Sequence, residues 1–227
     1  MSLSIIIWVP MAYPADLFNF LIRRKRKLIP TNLLRIHHAR LVTARKGQIL
    51  FEERDKACDF LQVEKGQVKM YNLNSEGQEF TQGVFGPGES FGEPALLGDF
   101  GYPSSAMVVE SGSIWRLPKP NFISLLKENF DLHLNLDQVL CKRLEYKSMI
   151  LTEVSTHNPE HRLNTVLNYL KLKIAKKSDD KNDKVIIPFT RQQLADMTGL
   201  RVETVIRAIK KMESCGTLTL EGHKIRI

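Results

Sequence analysis

Cysteine is scarce in this 227-residue chain: Cys58, Cys141 and Cys215 lie far apart, with no ligand-like spacing. An odd, scattered set argues against a disulfide framework or a cysteine-held metal cluster, and is expected of reduced thiols in a cytoplasmic protein. Long apolar runs are scarce too. Residues 3–22 come nearest, but Pro10, Pro14, Asp16 and Asn19 interrupt them and no basic residue precedes them. They read as an N-terminal arm rather than a signal or a membrane anchor, and the basic run 23–27 as a solvated turn. Catalytic motifs are missing as well. There is no nucleophile elbow, P-loop, zinc-binding pair or spaced carboxylate dyad, so no enzyme is expected.

Positive charge is what the chain has in surplus. Lysine and arginine number 33 against 25 acidic residues, a formal net charge of +8, which favours a polyanionic partner. Hydrophobic residues at 43% and charged residues at 26% fit a soluble folded protein.

Residues 41–117 read as β-structure. Short apolar or alternating runs at 48–51, 60–63, 68–71, 107–109 and 114–117 are separated by turn signals such as Lys46-Gly47, Lys65-Gly66, Glu76-Gly77 and Gly86-Pro87-Gly88. Many short strands at this spacing predict a sandwich or barrel. The period becomes helical from Lys119, with Phe122, Leu125 and Leu126 on one face, and a long helix is expected over 131–155. Its apolar stripe needs a cover, and a second copy of the helix is the economical one. Leu136, Leu140, Leu144, Ile150 and Leu151 are the expected seam of a homodimer. The competing reading is that the β-domain covers the stripe. Asn158 and Pro159 suit an N-cap and first helical position, Glu160 complements the helix start, and Leu163, Val166, Leu167 and Leu170 form the next apolar face. A polar loop at 178–184 and a short strand at 185–187 follow.

The most informative stretch begins at Thr190. Thr190-Arg191-Gln192-Gln193 has the form of a capping box. Two helices crossing through a tight turn need a small residue at their contact, a residue tolerant of positive φ in the turn, and a branched apolar wedge. Ala195, Gly199 and Val205 stand at those places. The result is a helix-turn-helix whose second helix exposes Arg201, Glu203, Thr204, Arg207, Lys210 and Lys211. An arginine can bond guanine N7 and O6 and a glutamate can accept from cytosine N4, so Glu203 and Arg207, one turn apart, are the expected base readers of double-stranded DNA. Thr190, Arg191, Gln192, Arg201, Thr204 and Lys210 are the expected backbone or flanking contacts. Residues 218–227 read as a hairpin, the wing of a winged helix.

Residues 194–207 resemble the DNA-binding stretch of the Crp/Fnr family, the cyclic-AMP receptor protein and its relatives. Residues 86–97 (GPGESFGEPALL) are similar to the phosphate-binding cassette of cyclic-nucleotide-binding domains. The resemblance runs from about Lys46 to the C-terminus. It implies an α+β chain: an N-terminal arm and β-roll sensor (cyclic-nucleotide-binding-like jelly roll) over 1–130, a dimerisation helix over 131–156 and a winged helix-turn-helix over 157–227. It also implies a homodimer on an inverted repeat, RNA polymerase as a partner, and an effector pocket around Gly92, Glu93, Leu96, Leu97, Ser104 and Ser105.

The resemblance has departures. Val202 stands where the cyclic-AMP receptor has a base-reading arginine, which puts the helix closer to the Fnr side, although Ile206 replaces a serine common there. No arginine or lysine lies between Glu93 and Arg116 to meet a cyclic phosphate, so cyclic-AMP is not the expected effector. The N-terminal cysteine cluster that holds iron–sulfur in some members is missing, so no such cluster is expected. His37, His38 and His133 read as surface histidines. The rival function is a ligand-sensing β-roll that docks a protein or membrane partner without specific DNA binding. Sequence preference for duplex DNA separates the two.

Overall fold

The N-terminal half is built on antiparallel strands that the chain's glycines bend rather than break. The computed structural model describes residues 27–155, 158–175, 185–222 and 224–227. The expected N-terminal arm, most of its basic run and the loop at 178–184 fall outside them. A short helix α1 (Thr31–Ile36) precedes β1 (Arg40–Ala44), β2 (Ile49–Phe51), β3 (Asp59–Leu73), β4 (Glu79–Phe85), β5 (Ser90–Phe91), α2 (Glu93–Gly98) and β6 (Ser105–Pro118). The strand order is β1-β6-β3-β4, with β2 joined to β6 and β5 to β3.

Two corrections to the sequence reading come from β3 and β6. Runs 60–63 and 68–71 are one strand, as are 107–109 and 114–117. Lys65-Gly66 is not a turn but an irregularity in the β3–β6 pairing, where Lys65 faces Ser113 and Gln67 faces Glu110. Gly66 has φ 86°, and a Cβ there or at Gly112 would strike the backbone of the opposite strand. Two glycines thus let the ribbons coil while staying paired. Strand β4, with Gly83 and three polar residues in seven, was not foreseen.

Helix α3 (Lys119–Glu128) covers the roll. Phe122 stacks on Phe60 of β3 with ring centroids 4.5 Å apart, and both are fully buried. Burying one such ring stabilises the fold by about 1.5–3 kcal/mol. Helix α4 (Phe130–Ser155) then leaves the roll, one residue earlier than the pattern suggested.

The second half contains α5 (Pro159–Ala175), β7 (Ile186–Ile187), α6 (Arg191–Thr198), α7 (Val202–Ser214), β8 (Thr219–Glu221) and β9 (Lys224–Arg226). The expected wing hairpin is present. Its strand β9 also pairs with β7, and Val185 and Ile227 exchange backbone hydrogen bonds of 2.8 and 3.0 Å. A second core gathers Leu163, Val166, Leu167, Leu194, Val205 and Ile209.

The halves touch through β4. Phe80 lies beneath Gly199, and Gln78 Nε2 lies 3.5 Å from the Leu200 carbonyl. Lys173 of α5 donates to the Val84 carbonyl at 3.0 Å and pairs with Glu89 at 3.1 Å.

Candidate functional site

The helix-turn-helix has the local chemistry that its residues predict. Thr190 Oγ1 accepts from the Gln193 N–H at 3.1 Å, and Gln193 Oε1 accepts from the Thr190 N–H at 2.8 Å, a complete capping box. Gly199 ends α6 at φ 65°, the left-handed conformation that glycine adopts without strain. The Thr198 hydroxyl donates back to the Leu194 carbonyl at 2.7 Å, and Arg162 Nη1 donates to the Thr198 carbonyl at 3.2 Å. The second satisfies an acceptor that the helix end leaves open. Ala195 and Val205 are buried between the helices, as their small and wedge roles require.

The outer face of α7 is free of the core. Arg201, Glu203, Arg207 and Lys210 are exposed, and Thr204 is half-exposed. Arg207 Nη2 lies 3.5 Å from Thr204 Oγ1, too far to hold the guanidinium firmly. Lys211 is exposed but committed to Glu160 of α5 at 2.8 Å. On α6, Thr190 and Gln192 are exposed and Arg191 is half-buried. Gln192 Nε2 donates to Asp196 at 2.8 Å, while burial pushes the Asp196 carboxyl above its ordinary range. Glu203, Arg207 and Lys210, spaced by four and three on α7, are therefore exposed on one helix face, with Arg201 exposed at its N-cap.

The cassette differs from its sequence reading in one decisive residue. Gly92 starts α2 at φ 80°, and a Cβ there would sit 2.9 Å from the Tyr102 ring. Glu93 is wholly buried, and the cation missing from the cassette arrives from α4. Arg143 Nη1 donates to Glu93 Oε2 at 2.9 Å, Nη2 donates to the Ser90 carbonyl at 2.7 Å, and the guanidinium lies 5.1 Å from the Phe85 ring centre. Sequence reasoning missed Arg143 and Ser90, because the cation was sought within the cassette. Of the other expected pocket residues, Leu96 is absorbed in the sensor core and Leu97 is exposed. The Ser105 hydroxyl accepts from the Glu53 N–H at 3.0 Å, and Ser104 is buried.

The long helix also corrects the expected seam. Leu136, at 1% exposure, belongs to the sensor core with Leu140 packed against it, and Ile150 belongs to the second core. The helix buries Leu136 and Ile150 within its own protomer and packs the half-buried Leu140 against the first core. The uncovered face carries Phe130 (72% exposed), Leu134, Cys141, Leu144 (66%) and Leu151 (71%). With Asp137 and Ser148 these positions alternate in steps of four and three, the spacing of a coiled-coil seam.

Among the described residues, no group of three or more histidine, cysteine or acidic side chains is placed to hold a metal ion. Cys58, Cys141 and Cys215 are free and exposed, and His37 and His133 lie within 4 Å of Glu128 and Asp137. No described helix is long and apolar enough to cross a membrane.

Two family models match the chain, the cyclic nucleotide-binding domain over residues 41–129 and the Crp-like helix-turn-helix domain over residues 161–227. The transcriptional activator protein FnrA of Stutzerimonas stutzeri is 24% identical over 183 residues, covering 81% of this chain and 74% of its own. The fumarate and nitrate reduction regulatory protein of Escherichia coli (strain K12) is 24% identical over 182 residues, 80% of this chain and 72% of its own. Among solved structures, CLP of Xanthomonas campestris, described as a c-di-GMP responsive global regulator, aligns with a TM-score of 0.70 at 18% identity, covering 86% of this chain and 96% of that one. A mutant of CooA from Carboxydothermus hydrogenoformans aligns with a TM-score of 0.73 at 18% identity, covering 93% and 90%. A β-roll carrying a cassette, a long helix and a winged helix-turn-helix follow one another here in the order those two domain models require, and the chain belongs to the Crp/Fnr family of DNA-binding transcription regulators.

Proposed function

We propose that this regulator acts in the cytoplasm as a homodimer that reads an inverted repeat in duplex DNA through Glu203 and Arg207. The observation that carries this reading is the outer face of α7. Both side chains are exposed one turn apart on a helix whose opposite face is locked into the core by Val205, Ala208 and Ile209. A helix held in this way can enter the major groove, where an arginine–glutamate pair selects a G·C-containing core. Thr190, Arg191 and Gln192 at the start of α6, with Arg201, Thr204 and Lys210, contact the phosphates and set the register. The exposed face of α4 supports the dimer. Phe130, Leu134, Cys141, Leu144 and Leu151 form its seam, keeping Leu144 and Leu151 of the residues first expected and replacing Leu136, Leu140 and Ile150. RNA polymerase is the further partner that family membership suggests. Cyclic-AMP is not the expected effector: no arginine or lysine lies between Glu93 and Arg116, and Arg143, the cation beside Glu93, is engaged with it.

Binding selection from random duplexes tests this. The enriched sites are expected to be inverted repeats with a G·C pair in each half and half-site centres roughly 34–36 Å apart. Enrichment without sequence preference at moderate salt contradicts it and favours a sensor module that docks another partner.

A further inference from the structure

We propose that Arg143 and Glu93 form a built-in latch, in which the long helix fills the sensor cassette from within and so fixes its own rotation on the β-roll. Three observations meet here. The Glu93 carboxylate is wholly buried, and a buried charge needs a partner that also bonds to it. Arg143 supplies that partner, and its fork reaches Glu93 Oε2 and the Ser90 carbonyl together while its flat face lies over Phe85. One side chain of α4 thereby holds the end of β4, strand β5 and the start of α2. The acid of the expected effector pocket is thereby occupied by the protein itself.

The latch is only half satisfied. Glu93 Oε1 and the Ser90 hydroxyl are both buried and find no hydrogen-bond partner in the protein. The ion pair therefore uses only part of the carboxylate's acceptor capacity. The consequence of release follows from where Arg143 sits. Leu144, the next residue, lies on the exposed seam. Lys147, one turn on, donates to Gln82 of β4 at 2.6 Å, and Ile150, two turns on, is buried in the DNA-binding core. Rotation of α4 at Arg143 would therefore turn the seam and shift the unit that carries α7. Held closed, the latch sets a DNA-binding arrangement without a cyclic nucleotide.

This rests on the dimer and DNA-binding reading, and the test separates the two. Arg143→Met removes the charge at similar length. The double variant Arg143→Met/Glu93→Gln also removes the buried carboxylate, and decides the matter if the single variant does not fold. Hydrogen exchange at amides 91–95 and 140–146 is expected to accelerate by about tenfold or more in the double variant, with amides of α6 and α7 unchanged. Its affinity for the selected duplex is expected to fall by about tenfold, while it still sediments as a folded dimer. Calorimetry of the wild-type protein with cyclic-AMP is expected to show no saturable micromolar binding. Wild-type exchange and DNA affinity in a folded double variant would overturn the latch, as would saturable cyclic-AMP binding by the unaltered protein. If the wild type shows no sequence preference for DNA, the functional reading fails, and the exchange data still judge the latch.

Discussion

The DNA-binding unit and the sensor cassette solve the same problem, the pairing of exposed backbone groups and charges around a helix start, in opposite ways. At α6 the solution is local. Thr190 and Gln193 cap each other across three residues, and Gly199 closes the helix at its other end. At α2 the solution is remote. The helix begins on Gly92 with no side-chain cap, and the charge of Glu93 is met by Arg143, fifty residues further along the chain. A local device can be replaced only within its own few residues. A remote one couples two elements, and what disturbs one moves the other.

The comparison can be broken first at the element that joins the two regions. Leu144→Glu with Leu151→Glu places charges on the exposed seam without touching either core. Monomers are expected by sedimentation, with affinity for an inverted repeat lower by about 10²–10⁴-fold, because the two half-sites are no longer bound together. A double variant that remains dimeric removes this face of α4 from the interface.

A smaller effect is expected inside the local unit. Ala195 is buried where α6 and α7 meet, so Ala195→Leu overfills the contact at a cost of about 1–3 kcal/mol. Thermal unfolding followed at the second half should shift while cassette amides keep their protection. Equal loss of protection in both regions would mean that they do not behave as separate units. Thr190→Ala is smaller again. Losing the hydroxyl half of the capping box should cost about 1 kcal/mol, seen as faster exchange confined to the first turn of α6. Exchange that also accelerates at Gly92 and Glu93 would show that the cap is not local.

The same contrast explains what could be read from the residues. Capping box, small contact residue, turn glycine and wedge all fall between Thr190 and Val205, so their spacing alone described the helix-turn-helix. Glu93 was legible as an acid of the expected cassette pocket, but neither its burial nor Arg143 as its partner was legible, since nothing in a helix sequence marks which cassette its arginine reaches. Helix α4 was harder for a related reason. Its leucines fall on two faces, and Leu136 and Leu140 turn inward while Leu134, Leu144 and Leu151 turn outward. Periodicity shows that a helix has apolar faces and not which of them its own domain covers. Lys65-Gly66 read as a turn because glycine marks both turns and irregular strand pairings, and only the facing Gly112 distinguishes them. Strand β4 escaped because its apolar side chains are divided: Phe80 and Val84 pack against the second core, while Phe85 packs on the roll.

The central claim is that Arg207 reads a base while Arg191 holds a phosphate, and one measurement tests it most directly. Duplex selection and salt titration would be run on the wild type, Arg207→Ala and Arg191→Ala. Arg207→Ala is expected to lose about 1–3 kcal/mol on the preferred site and to relax the choice at one base pair in each half. Arg191→Ala is expected to weaken all sequences alike and lower the salt slope by about one unit. If Arg207→Ala keeps the wild-type base preference and loses affinity evenly across sequences, Arg207 is a phosphate contact and the assignment of the reading residues is wrong.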